Sequence, residues 1–408
     1  MTRRDPLPTA PPRTSSGGIR PGARLATALG IAPSVAGYWP RPAERPLLLA
    51  ALLDDARGRA AWAAGRSELE APDVSPGAVW LRPLLATAVE RWDPDDPLLP
   101  GLRRDRDAAA TRYARLVAHL APIVTAIAAA GIPMLLLKGA ALVARGIPPG
   151  GRPMGDIDLL VRAADADRAL ALADRAPWKP RDPVTPAFRR AWNAVHHSDG
   201  DWCHLDLHWH LFWQDRRPEA EDGIWARAVP ARFGEVPVLR PGDTDSLAHT
   251  LMHGARRGRT SAIRWVVDAW SLLRAGTIDW ELLLREGRAR RMQARLRWTL
   301  AYLVALLDAP VPPGVLMELR AGATLADRAE HAFQAHPQGP LGAIPEYLCA
   351  YSRANGTAGP AGWAGFPRYL ADAWELPRLS AIPAGVAQRI GSRLPSSGTS
   401  RDPAVTQP

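Results

Sequence analysis

Two aspartates one residue apart open a strand-like run, Asp156-Ile-Asp-Leu-Leu-Val161. Side chains alternate faces along a strand, so Asp156 and Asp158 project together while Ile157, Leu159 and Val161 project the other way. Further on, Trp202-Cys-His-Leu-Asp-Leu-His-Trp-His-Leu211 repeats the alternation: His204, Asp206, His208 and His210 share one face, and Cys203, Leu205, Leu207 and Trp209 share the other. If Asp206 converges on Asp156 and Asp158, the carboxylates repel one another unless a divalent cation neutralises them, and Mg2+ held by carboxylates and substrate phosphates is the usual solution. Two such ions about 3.5–4 Å apart would activate an attacking hydroxyl and steady a leaving pyrophosphate. Lys138-Gly139, where an apolar run passes into a helix, adds backbone N–H groups, a positive helix end and an ammonium where a triphosphate would lie. Arg152, in the loop before the aspartates, reads equally as a phosphate clamp and as a solvated loop arginine.

The histidines allow a rival chemistry. His204, Asp206 and His208 on one face are competent zinc or iron ligands, which would make the chain a metal-dependent hydrolase. In the first reading His208 instead orients Asp206 or touches substrate. His249 and His253 stand one helical turn apart and are expected on a helix face packed over the cleft. His196 and His197 are expected on a hairpin surface. The Arg256-Arg-Gly-Arg259 cluster and Arg264 offer positive charge to a nucleotide or acidic acceptor, or simply face solvent.

These residues need elements to hold them. Apolar residues at helical spacing (Tyr113, Leu116, Val117, Leu120, Val124, Ile127) predict a helix over about 103–130 that closes at Gly131. Ile132-Pro-Met-Leu-Leu-Leu137 then reads as a short buried strand, 140–145 as a short helix, and 146–155 as the loop leading to the aspartates. A helix with acids in its first turn follows Val161. A hairpin around Ser198-Asp-Gly-Asp201 carries Asp206 on its second strand. Helical patterns resume from Asp245, and Pro310-Val-Pro-Pro313 ends them before a weaker helical stretch. The expected division is a disordered tail (1–22), a helical region (23–102), a mixed strand and helix core (103–244), a mostly helical half (245–384) and a second disordered tail (385–408).

Charge narrows the class. The formal charge is +10, yet residues 1–24 hold five arginines against one acid and 385–408 hold three against one, so the tails carry most of the excess. The remainder is a weak argument for a polyanion-binding face. The sixteen tryptophans are scattered without interleaved basic periodicity and read as packing groups rather than base-stacking platforms. Two cysteines, Cys203 and Cys349, build no disulfide framework. With no apolar segment behind the basic N-terminus and no long apolar run, a cytoplasmic, non-membrane protein is expected.

The order of strand, Gly-containing turn into a helix, loop, Asp-x-Asp strand and a later acidic strand resembles the nucleotidyltransferase fold of the DNA polymerase β superfamily. More closely, Leu137-Lys-Gly-Ala140, Arg152-Pro-Met-Gly-Asp-Ile-Asp-Leu-Leu-Val161 and Leu205-Asp-Leu-His-Trp209 resemble the bacterial family of uncharacterised nucleotidyltransferases. His249, His253, Arg264-Trp-Val-Val-Asp268 and Asp279-Trp280 fit that family's helical half. The resemblance implies an α+β fold with a mixed sheet flanked by helices, and transfer of a nucleoside monophosphate from an NTP co-substrate to an acceptor hydroxyl. It implies Mg2+ or Mn2+ held by Asp156, Asp158 and Asp206, with Asp206 also activating the acceptor and Gly139 as the turn residue. Ala140 departs from the Gly or Ser usual in the wider superfamily, so no serine hydroxyl serves the phosphates there and Lys138 is expected to substitute. A protein or small-molecule acceptor is expected ahead of nucleic acid. A non-catalytic nucleotide- or partner-binding member is the other reading that the resemblance leaves open.

Overall fold

The carboxylate-bearing strand β2 (Asp156–Leu160) lies in the middle of a seven-stranded mixed sheet ordered β3-β4-β5-β2-β1-β7-β6. The computed structural model describes residues 39–391 except 176, 255–261, 275–277, 336–343 and 357–361. The other strands are β1 (Leu135–Leu136), β3 (Lys179–Pro180), β4 (Ala194–Ser198), β5 (His204–His208), β6 (Val229–Phe233) and β7 (Val236–Arg240). β2 runs parallel to β5 and antiparallel to β1, with Asp158 directly opposite Asp206. β4 pairs antiparallel with β5 and sets His196 opposite Asp206. The chain is therefore α+β, with helices flanking a mixed sheet.

Alternation gives this sheet two unlike faces. On one, Ile157, Leu159, Leu205, Leu207 and Val195 are buried against Leu116, Leu120, Val124 and Ile127 of the helix Leu99–Ala129 and against the helix Ala166–Ala173. Each fully buried Leu, Ile or Val contributes about 1.5–3 kcal/mol relative to exposure. Because the strand period is two, a one-residue slip would put aspartates into that core, so the apolar face fixes where the carboxylates point. The long helix stops as its sequence predicts. Gly131 takes φ +70, and the Ile132 N–H reaches back to the Ile127 carbonyl at 3.3 Å.

The polar face is apolar at its far end, where Leu135, Leu137 and Leu160 enter a second core. That core joins helices from both ends of the chain. The helices Glu44–Leu52 and Pro76–Trp92 supply Leu47, Leu48, Leu81 and Leu85; the helices Asp243–Gly254, Ile263–Arg274 and Gln293–Leu307 supply Leu251, Val266, Leu300 and Leu303. A third, smaller core forms where the helices Ile344–Asn355 and Phe366–Ala373 pack on Ala191 and Trp192.

Some elements differ from expectation. The buried run before Lys138 contributes only Leu135 and Leu136 to the ladder, and the following helix is Lys138–Ala144. The β6–β7 hairpin carries Pro230 and Pro237, residues depleted in strands, so no strand is predicted there from pattern. Residues 385–391, expected at the start of the tail, finish the helix Ile382–Gly391. The expected disordered segments 1–22 and 392–408, and the Arg256–Arg259 cluster, lie outside the described residues. Among the described residues, no helix is long and apolar enough to cross a membrane.

Candidate active site

The site forms where the N-terminal half of β2 meets β5. One ligand atom each from Asp158, Asp206 and His208 lies within 4.8 Å of the others, a spacing that suits one cation. Asp156, expected beside Asp158 and Asp206 as a ligand, stands at the rim, partly exposed and outside that group. Burial raises its pKa above the usual carboxylate range, and the neighbouring Asp158 charge raises it further. Asp158 is buried, which alone would raise its pKa. Lys138 and His208 overcome that penalty and hold it far below the usual value.

Both contacts fall on one oxygen. Lys138 Nζ donates to Asp158 Oδ1 at 2.5 Å, and His208 Nε2 meets the same oxygen at 3.0 Å. The Asn193 amide, 3.4 Å from His208 Nδ1 and donating to the His210 carbonyl at 3.1 Å, leaves the Nε2 proton of His208 for Asp158. Asn193 was not singled out from sequence. It precedes β4 and carries no periodic signal.

Lys138 reaches Asp158 because the backbone turns sharply before its helix. Its φ is +48, a left-handed conformation uncommon outside glycine, aspartate and asparagine. The expected turn residue, Gly139, serves differently. A Cβ there would collide with the Arg152 guanidinium and the Met154 sulfur, so glycine is needed for close approach.

Arg152 is neither a solvated arginine nor placed to clamp a phosphate with its fork. It is buried, and its Nε and an Nη donate to the two Asp268 oxygens at 2.7 and 2.8 Å. Burial opposes its charge, but Asp268 more than compensates and its pKa is raised. Trp80 Nε1 donates to the Pro153 carbonyl at 3.3 Å and Arg112 Nε to the Met154 carbonyl at 3.1 Å. Three flanking helices thus pin the loop that delivers Asp156 and Asp158. Arg264, one turn before Asp268, keeps a buried Nε without a hydrogen-bond partner among the described residues and lies 5.9 Å from the Trp80 ring centroid. Burial lowers its pKa, as does the nearby Arg152.

The remaining histidines divide. The expectation that His196 and His197 lie on a hairpin surface is corrected for His197; His196 is partly exposed on β4. His197 is fully buried, with Nε2 at 2.8 Å from Asp174, and burial lowers its pKa. His196 Nδ1 lies 2.5 Å from Asp206 Oδ1, an interaction that raises the imidazole pKa. His204 stacks near His196 with ring centroids 4.8 Å apart and does not join Asp206 and His208 in the metal-competent group. His210 leaves the strand and pairs with Glu221 at 3.0 Å. His249 is buried beside the site, its Nε2 without a partner among the described residues, and burial pushes its pKa well down. Lys138, Asp206, His208, His253 and Arg295 line a pocket of about 150 Å3.

The model of a family described as uncharacterised nucleotidyltransferase matches residues 80–308, more than half of the 408-residue chain. No curated protein and no solved structure matches it.

Proposed function

Because the chain belongs to the uncharacterised nucleotidyltransferase family, we propose that it moves a nucleoside monophosphate from an NTP to an acceptor hydroxyl on a DNA polymerase β-like framework. The observation that carries this reading is the meeting of Asp158, Asp206 and His208 within 4.8 Å, with Lys138 set against the same carboxylate. Two carboxylates and an imidazole fit a divalent cation, and the ammonium already beside Asp158 marks a place that favours positive charge. Asp158, Asp206 and His208 would hold Mg2+ or Mn2+, with Asp156 as a further oxygen donor; an imidazole is a ligand Mn2+ accepts more readily than Mg2+. When bound, the ion supplies charge neutralisation at the triphosphate and the leaving pyrophosphate.

The chain's own groups carry the rest. Asp206 accepts the proton of the acceptor hydroxyl, with His196 hydrogen-bonded behind it. The freed oxygen attacks the α-phosphorus; the new O–P bond forms as the bond to the β-phosphate oxygen breaks and its electron pair departs with pyrophosphate. Lys138, partly exposed beside the pocket, would contact phosphate, and Arg264 is the second cation assigned to the triphosphate. Arg152 positions the loop through Asp268.

The test is calorimetry of NTP–metal binding together with labelled-NTP transfer in cell extract. Wild type should bind the metal–nucleotide and label an acceptor, whereas Asp158→Asn should do neither. Equal binding by the variant would refute the site, and binding without any labelling would favour a non-catalytic nucleotide-binding protein. Stoichiometric zinc in purified protein would favour the hydrolase reading.

A further inference from the structure

Asp206 borders two cavities. Besides the small pocket it shares with Lys138 and His208, it sits in a groove of about 430 Å3, within the range of small-molecule sites. Phe188, Trp192 and Trp374 give the groove aromatic walls, and Asp182 and Glu375 join Asp206 as its carboxylates. Among the described residues no lysine or arginine lines it, although the chain has 51 basic residues against 41 acidic ones; the imidazole of His196, hydrogen-bonded to Asp206, is the basic group present.

The groove is assembled from two parts of the chain. Phe188 and Trp192 come from the short helix Pro186–Ala191 and the residue after it. Trp374 and Glu375 follow the helix Phe366–Ala373, beyond the matched span of residues 80–308. The parts are fastened by Arg190 Nε donating to buried Asp372 at 3.0 Å and by the core around Ala191, Tyr369 and Ala373. Glu375 is locally unfavourable twice over. It takes φ +56 at a helix C-terminus where glycine is the usual choice, and its charge sits at the negative end of that helix.

We propose, building on the transferase reading, that this groove holds the acceptor, and that the acceptor is a small molecule bearing both a hydroxyl and a cationic amine or quaternary ammonium. The ammonium lies against the aromatic walls and is countered by Asp182 and Glu375, which leaves the hydroxyl to reach Asp206. The same charge pattern repels phosphorylated and nucleic-acid acceptors. Acceptor choice then rests in part on Trp374 and Glu375, which the family span does not include.

Full-length protein labelled with 5-fluorotryptophan is titrated, without nucleotide, with choline, with ethanolamine and with 3,3-dimethylbutan-1-ol, the uncharged isostere of choline, while 19F spectra are recorded. The cationic probes should give saturable shifts confined to the resonances that Trp192→Phe and Trp374→Phe remove. Glu375→Gln and Asp182→Asn, both changes at exposed residues, should each weaken choline about five- to tenfold, with unaltered circular dichroism. Equal affinity for the neutral alcohol, no saturation by either amine, or unchanged affinity in both variants overturns the proposal. Calorimetry of NTP–metal binding on the same samples separates the two readings: nucleotide binding without amine binding defeats the groove assignment alone, and amine binding without nucleotide binding defeats the transferase reading.

Discussion

Two cation–carboxylate contacts lie close together around the turn at Gly139, and they are built on opposite plans. Arg152 and Asp268 meet through two parallel hydrogen bonds, both partners buried. Lys138 and Asp158 meet through one oxygen that His208 also contacts, and the lysine remains partly exposed. A bidentate, enclosed pair commits both carboxylate oxygens and one edge of the guanidinium to each other, whereas a single shared oxygen beside a pocket can trade its lysine for another cation. Burial of charge alone therefore does not mark the reactive place. The difference lies in how completely each charge is satisfied by its partner.

Substitutions that separate activity from stability test this contrast. The largest effect is expected from Asp158→Asn, which should lower nucleotidyl transfer by about a thousandfold or more while leaving the cooperative urea transition in place. Asp268→Ala should act on stability first, because it strands a buried arginine; a loss of about 3–5 kcal/mol in urea unfolding is expected. If Asp268→Ala folds as well as wild type, the pair is not the loop's anchor. Asn193→Ala should reduce metal affinity roughly 10- to 100-fold by releasing the His208 ring, read by calorimetry with Mn2+.

The smallest expected effect concerns pH. Burial holds the His249 pKa well below its usual value of 6.5, so the unfolded chain takes up a proton that the folded chain refuses. Stability should then fall as pH drops below about 6.5, by about 1.4 kcal/mol per unit for this group, until the folded-state pKa is reached. His249→Gln should flatten the dependence of unfolding free energy on pH between 7.5 and 5.5; an unchanged slope would remove His249 from the account.

Alternation along β2 and β5 was enough to place Asp156, Asp158, Asp206 and His208 on one face, because a strand's period depends only on local geometry. The helix ending at Gly131 was legible for the same local reason. Nothing local joins Arg152 to Asp268, which lie 116 residues apart, or buries His197 beneath the exposed Asp174 on a strand read as hairpin surface. The left-handed Lys138 escaped notice because glycine beside it looked like the residue that turns. Asn193 acts on His208 through a single amide, and a lone amide before a strand has no pattern to betray it.

The second core has a consequence for how the chain is made. Leu47, Leu48, Leu81 and Leu85 share one core with Val266, Leu300 and Leu303, so a core begun near the start of the described chain is completed only once position 300 has been made. At synthesis rates of about 5–20 residues per second, the first helices leave the ribosome on the order of ten seconds or more before their partners exist. Through that interval the part of their apolar surface that the later helices will cover is available to chaperones, and the strand bearing the aspartates is complete before the helices that will roof it.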